Sequence, residues 1–310
     1  MGRETQLGAV IEAKTDDEAT PLHDAALNGH VEASKTLVQL SANIHATSAT
    51  GYSPLHFAAQ NGHAEVIETL VRLNANVHAK CRAQGTTPLH AAADQGQIEA
   101  VKTLVKLRAN LDAKRDDDGS TPLHQAASKG HAETIKTLVQ LKANIEATAQ
   151  HGATPLHSAA MHGNVDAVNM LVRLRANIQA KMVEGMSPLH AAVVTGVVDV
   201  VETLVQLRAD IQAKTDDGLS PLHTAADVGQ AETIKTLVRL KANVAARCNR
   251  RMTPLHSAAA KGHAEAVKTL VQVRAVLSAR RVCRLWFRKK ITYYCPRHNM
   301  QLSTCTKPST

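Results

Sequence analysis

The side chains in this sequence equipped for chemistry are seventeen histidines, five cysteines and a few runs of adjacent aspartates. Metal coordination, proton transfer and nucleophilic attack all need such groups to converge on one point. Their spacing argues against convergence. Eight of the histidines (His23, His56, His90, His124, His157, His190, His223 and His256) close a Thr/Ser-Pro-Leu-His tetrapeptide that returns every 33 or 34 residues. Imidazoles one period apart in a stacked array stand roughly 10 Å from each other, against a metal–nitrogen bond of ~2 Å. A hydroxyl and an imidazole three residues apart at a helix start can instead bond each other and the neighbouring backbone, which is a structural role. His30, His63, His131 and His263 each follow a turn glycine and take the same structural reading. Asp16 with Asp17, and Asp116 with Asp117 and Asp118, fall in loop tips where solvated carboxylates are ordinary. Cys295, His298 and Cys305 have a zinc-like composition but no fourth ligand at a familiar spacing. Gly-x-Ser-x-Gly, His-Glu-x-x-His, Gly-x-Gly-x-x-Gly and a phosphate-binding Gly-Lys-Ser/Thr are all missing from the sequence. No catalytic residue, metal site, cofactor or small-molecule substrate is expected.

The elements that place these residues follow from the period. The tetrapeptide proline recurs at Pro21, Pro54, Pro88, Pro122, Pro155, Pro188, Pro221 and Pro254, and a glycine stands eight residues after each, from Gly29 to Gly262. Repeat four shows the unit. Thr121 suits an N-cap and Pro122 the first helical position, and Leu123, Ala126 and Ala127 then share one face of a short inner helix. Gly130 provides the positive φ that ends it. A second, outer helix over Glu133 to Leu141 turns Ile135, Leu138 and Val139 inward and sets Glu133 beside Lys136 at i, i+3. The segment from Ala143 to Ala153 carries the chain to the next unit. No single unit buries enough apolar surface to stand alone.

Thr-Pro-Leu-His-x-Ala-Ala-x-x-Gly-His followed by Thr-Leu-Val and Ala-Asn resembles the ankyrin repeat, in phase eight times over residues 7 to about 279. The resemblance implies an all-α repeat solenoid with short β-hairpins, an array of stacked helix-turn-helix units. It divides the chain into a partial unit at 1–19, an ankyrin-repeat domain at 20–279 and a tail at 280–310. Repeats begin near Thr20, Ser53, Thr87, Thr121, Thr154, Ser187, Ser220 and Thr253.

Three departures from the family pattern carry expectations. The helix-ending position twenty after each proline, usually glycine in the family, holds Ser41, Asn74, Arg108, Lys142, Arg175, Arg208, Lys241 and Arg274. A cation there complements the helix dipole, while a left-handed backbone costs a side chain roughly 1 kcal/mol, so a modestly strained or re-routed cap is expected. The hairpin glycine three before the proline is replaced by Glu18 in repeat one and Arg251 in repeat eight, and the family's acidic residue six before it is present only as Asp116. The stretch 7–17 aligns without a gap onto 207–217, so the chain starts inside a repeat, as expected for a segment of a longer array or a truncated product.

Composition narrows the class. Apolar content of 44% supports a folded chain, but six aromatic residues are too few for a large core built on rings. No apolar run reaches bilayer length, no signal-peptide pattern opens the chain, and the cysteines show no disulfide framework, so an intracellular location, cytoplasmic or nuclear, is expected. The net charge of +9 is concentrated beyond residue 276: residues 277–310 hold eight Lys or Arg and no Asp or Glu. The tail also holds four of the six aromatics, Trp286, Phe287, Tyr293 and Tyr294. Read as a helix, it places Cys283, Trp286, Phe287, Ile291, Tyr294 and Cys295 on one side. Its basic residues Arg280, Arg281, Arg284, Arg288, Lys289 and Lys290 would suit an anionic membrane or nucleic acid, and a helix capping the last repeat or a disordered end are the structural readings.

If the concave surface implied by the resemblance is used, its lining varies from repeat to repeat. Asp24 marks the first unit; Tyr52, Phe57, Gln60 and Asn61 the second; Gln125 the fourth; Met161 and His162 the fifth; Met186 the sixth; and Arg250, Arg251 and Lys261 the last. Tyr52 and Phe57 are the only aromatics before the tail, and aromatics favour binding hot spots. Acidic groups at the start and basic groups at the end would orient a partner of opposite polarity. The function expected is a non-catalytic scaffold that binds one or more proteins on hairpins and inner helices. The alternatives are a protein targeted by its basic tail to membrane or nucleic acid, and a fragment of a longer array.

Overall fold

The computed structural model describes residues 11–274. Inner helices run over Pro21–Leu27, Pro54–Gln60, Pro88–Asp94, Pro122–Lys129, Pro155–Met161, Pro188–Thr195, Pro221–Asp227 and Pro254–Ala260. Each is followed by an outer helix: Val31–Gln39, Ala64–Arg72, Ile98–Lys106, Ala132–Gln140, Val165–Arg173, Val198–Gln206, Ala231–Arg239, and a last one helical from 264 through 274. Inner helices pack on inner and outer on outer, which makes the stacked helical solenoid expected from the period.

Local chemistry sets the boundaries. Every inner helix opens with Thr or Ser in an extended conformation followed by proline, whose fixed φ suits the first turn and whose missing N–H costs nothing there. Gly130 ends the fourth at φ 82°, and an added Cβ would lie 3.0 Å from Asn164 Oδ1. In repeat four Leu123, Ala126, Ala127, Ile135 and Leu138 are all fully buried. The alanines let neighbouring inner helices approach closely, and one apolar core runs from Leu22 to Leu270. Each buried Leu or Ile contributes about 2 kcal/mol, gained only when a neighbouring repeat covers it. Repeat one departs from this: Ser34 takes the outer-helix position held elsewhere by Ile67, Val101 or Ile135, and its buried hydroxyl has no partner.

The helix-ending position is left-handed without glycine. Ser41, Asn74, Arg108, Lys142, Arg175, Arg208 and Lys241 take φ between 72° and 81°. Arg208 N–H donates to Val205 O at 3.0 Å and Ala209 N–H to Leu204 O at 2.8 Å, the paired bonds of a Schellman closure. The cap is therefore kept in place and the strain accepted.

The connections differ from the β-hairpins expected. Among the described residues no strand forms. Each loop is a tight turn closed by an outer bond, such as Ser48 N–H to Tyr52 O at 2.9 Å or Arg115 N–H to Ser120 O at 2.9 Å, and most hold a second bond inside it, such as Gly51 N–H to Ser48 O at 2.8 Å. Successive tips add one more, such as Gln150 N–H to Asp118 O at 2.8 Å. Positive-φ residues on one side and proline on the other leave too few extended residues for a ladder. Glu18 at φ 56° and Arg251 at φ 60° keep the same turn as the glycine-bearing loops, with Glu18 N–H reaching Thr15 O and Arg251 N–H reaching Cys248 O, each at 2.9 Å.

From the partial unit, Ile11 packs on the core and Glu12 accepts a bond from Asn43 N–H at 2.7 Å. Cys81 and Cys248 are buried free thiols. Among the described residues no helix is long and apolar enough to cross a membrane. Arg280, Arg281, Arg284, Arg288, Lys289 and Lys290 lie outside the described residues, as do Arg274's successors and the Cys295, His298, Cys305 group.

Candidate binding surface on the loop and inner-helix face

The tetrapeptide histidines act as staples between repeats. In each, Nδ1 accepts the N–H of the capping Thr or Ser three residues earlier, at 3.2 Å for Thr154 and His157. That fixes the hydrogen on Nε2, which donates to a loop carbonyl of the next repeat: His23 to Tyr52 O, His56 to Thr86 O, His90 to Ser120 O and His124 to Ala153 O, at 2.9 to 3.0 Å. His157, His190 and His223 do the same to Met186, Leu219 and Met252, at 3.1 to 3.2 Å. A second proton would put a donor on Nδ1 facing another donor. Burial accordingly pulls His56, His90, His157 and His190 down to about 4, against the opposing effect of the acceptor carbonyls. Burial lowers His23, His124 and His223 in the same direction. Among the described residues no three His, Cys, Asp or Glu side chains converge as a metal site.

A ring cluster follows on the same face. Tyr52 stacks on His56 with centroids 4.9 Å apart and meets Phe57 edge-on at 6.1 Å, and Phe57 meets His23 edge-on at 5.5 Å. Both aromatic side chains are half-buried, so each packs on the staples and still shows a surface to solvent.

Beside them, repeats three to five form a groove of about 490 Å³ between loop tips and inner helices. Its floor is a polar network centred on Arg115, whose side chain is only 14% exposed. Arg115 Nη2 pairs with Asp117 at 2.5 Å, and its Nε lies 3.9 Å from Asp118 without a hydrogen bond. Gln125, with its amide turned to satisfy both neighbours, accepts from Arg115 Nη1 at 2.6 Å and donates to Asp94 at 3.2 Å. Lys129 reaches Asp94 at 3.7 Å. Burial pushes the Asp118 carboxyl up, but the Ser120 N–H and hydroxyl, each at 2.8 Å, and the Arg115 cation outweigh it and hold it below the usual range. Met161, 41% exposed, and the exposed His162 form one rim of this groove, with Gln84, Gln150 and His151 on the loop side. The network carries both signs of charge and offers donors and acceptors to an incoming surface.

A model of tandem ankyrin repeats matches residues 5–81, 73–149, 141–215 and 208–280. The chain belongs to the ankyrin-repeat family. No curated protein matches it. Ankyrin repeats are protein–protein interaction modules, and the family is typically non-catalytic.

The ankyrin groove brings Gln125, Met161 and His162 together, while the remaining residues proposed from sequence lie elsewhere. Tyr52, Phe57, Gln60 and Asn61 form the neighbouring shelf in repeat two, where Asn61 is exposed and bonds Phe57 O at 2.9 Å. Asp24 is exposed one repeat away, and Met186 is half-buried with its carbonyl occupied by His157. Arg250, Arg251 and Lys261 are exposed at the far end, Lys261 lying 3.9 Å from Asp227. Sequence reasoning missed Arg115, Asp94, Asp118 and Lys129. A signal existed for Arg115: it opens the loop turn at a position where other repeats carry the small, buried Ser48, Cys81, Thr215 or Cys248.

Proposed function

We propose that this ankyrin array is a non-catalytic scaffold that holds a protein partner against the loops and inner helices of repeats two to five. The observation that carries the reading is the adjacency of two kinds of surface. The half-exposed Tyr52–Phe57 pair can bury apolar area at little cost in side-chain entropy, and the Arg115–Gln125–Asp94 network beside it supplies preorganised polar contacts. The staples fix both to the scaffold, so a partner has little ordering left to do.

The test is affinity capture with the full chain at low and high salt, comparing wild type with a Tyr52→Ala/Phe57→Ala double variant and with Met161→Asp. A partner retained at high salt by wild type and lost from both variants, with circular dichroism unchanged, supports the reading. Partners held equally by all three forms refute it, and partners stripped by salt point to the basic tail instead.

A further inference from the structure

We propose that the outer-helix ends of repeats three to seven form a basic row that binds an acidic, extended segment of a partner protein carrying Asp or Glu at every third residue. Arg108, Lys142, Arg175, Arg208 and Lys241 directly follow the closing leucine of five successive outer helices, and all five are exposed. Outer helix packs on outer helix in chain order, so these cations stand one interhelical spacing apart, about 8–10 Å. None of them lines the groove of repeats three to five, so the row is a second surface. The backbone here is strained for a side chain that the fold does not require. Each of the five takes φ between 72° and 81°, a left-handed conformation that Asn74 fills at φ 73° in repeat two without a charge. Nor does the helix dipole require them: in repeats three, five and seven Lys106, Arg173 and Arg239 already meet it from the last helical turn, at no backbone strain. Among the described residues no carboxylate pairs with any of the five. The nearest along the chain, Asp112, Glu146 and Asp210, accept the backbone N–H groups of Asn144, Asn177 and Gln212 instead.

Spacing and surroundings select the ligand. A polyproline II segment rises ~3.1 Å per residue with three residues per turn, which sets side chains i, i+3 and i+6 on one face about 9 Å apart. Carboxylates at those positions meet the row in register, and the three arginines can take them in bidentate pairs. Duplex nucleic acid carries one charge per ~1.7 Å of axis, far denser than this row. Single strands are held by stacking, and the aromatics of the described residues, Tyr52 and Phe57, both lie in repeat two. A membrane surface calls for an apolar anchor, and in repeats three to seven none of the exposed large apolar side chains stands at these helix ends.

The measurement is fluorescence anisotropy of a labelled peptide of five Glu-Pro-Pro units on the full chain at about 50 mM salt, where exposed charges are weakly screened. One variant combines Arg108→Asn, Lys142→Asn, Arg175→Asn, Arg208→Asn and Lys241→Asn, a residue that repeat two shows to fit this cap. A second removes the same charge elsewhere through Lys35→Gln, Lys102→Gln, Lys136→Gln, Lys235→Gln and Lys268→Gln, each lysine being paired within its own helix. The expected result is a dissociation constant raised at least about tenfold in the asparagine variant and changed less than about twofold in the glutamine variant, because five exposed pairs worth a factor of roughly two each multiply. Far-ultraviolet circular dichroism is kept in both. Equal loss in the two variants, which reports net charge alone, overturns the proposal. So does undiminished binding by the asparagine variant, which assigns the peptide to other cations such as those of the tail. An isomeric peptide with its five Glu in one block that binds wild type equally well overturns it too, since the spacing is then not read. A wild type that leaves the peptide unbound while the row retains duplex DNA or phosphatidylserine vesicles replaces it with a nucleic-acid or membrane surface.

Discussion

Acid should unfold this array through its histidines before its carboxylates matter. In the unfolded chain each staple histidine titrates near 6.5, and in the fold His56, His90, His157 and His190 titrate at about 4. The unfolded state therefore binds more protons between these values. Stability is fully present above pH 6.5 and is lost as pH falls toward 4. At pH 5 each of the four contributes a loss of about 2 kcal/mol, or roughly 8 kcal/mol together, against the ~5–15 kcal/mol that holds typical domains folded. His23, His124 and His223 are lowered too and add to the loss. Urea unfolding followed by circular dichroism at pH 7.5, 6.5, 5.5 and 5.0 reads this directly. These four staples alone predict an uptake of at least about three protons on unfolding at pH 5, to which the other three add, measurable by potentiometry. A urea midpoint that stays flat from pH 7.5 to 5.0, or unfolding without proton uptake, would refute the view that neutral imidazoles tie the repeats together.

Two further outcomes follow from local geometry. Ser34→Val should stabilise the protein by about 1–2 kcal/mol, because it removes a buried hydroxyl with no partner and restores the apolar residue its counterparts carry; thermal melting checks it. Arg208→Gly should raise the melting temperature slightly, since relief of ~1–2 kcal/mol of left-handed strain at φ 74° exceeds the ~0.5–1 kcal/mol of chain entropy that glycine loses. An unchanged or lower melting temperature would mean that the arginine's interaction with the helix dipole is worth more than the strain.

The repeating unit was legible before any coordinates, because its determinants are local and recur in phase. Thr121, Pro122, Leu123 and Gly130 fix where a helix starts, faces and ends within ten residues, and eight copies remove the ambiguity of one. The pairing of capping hydroxyl and histidine is equally local. The other end of each staple is not: that His157 donates to Met186 O depends on how one repeat lies on the next. Among the described residues the loops form turns without strands for a related reason, since a strand requires a ladder of bonds and each of these loops closes on a bond or two around a positive-φ residue.

The sequence by itself determined the fold class, the period and the separation of a near-neutral body from a basic tail, because each is a matter of residue type at a fixed offset; that the caps stay left-handed rather than re-route was decided by the structure. Only the tertiary structure decided which variable residues form one surface. Asp94, Arg115, Gln125 and Met161 come from three repeats and meet because stacking sets them side by side. The long spacing before Pro88 and Pro122 lengthens those loops, and the side chain of Arg115 then turns inward to a partner that no pattern within its own repeat could name. Side chains far apart in sequence interact through space, and a periodic sequence specifies the stack far more strongly than it specifies the contacts across it.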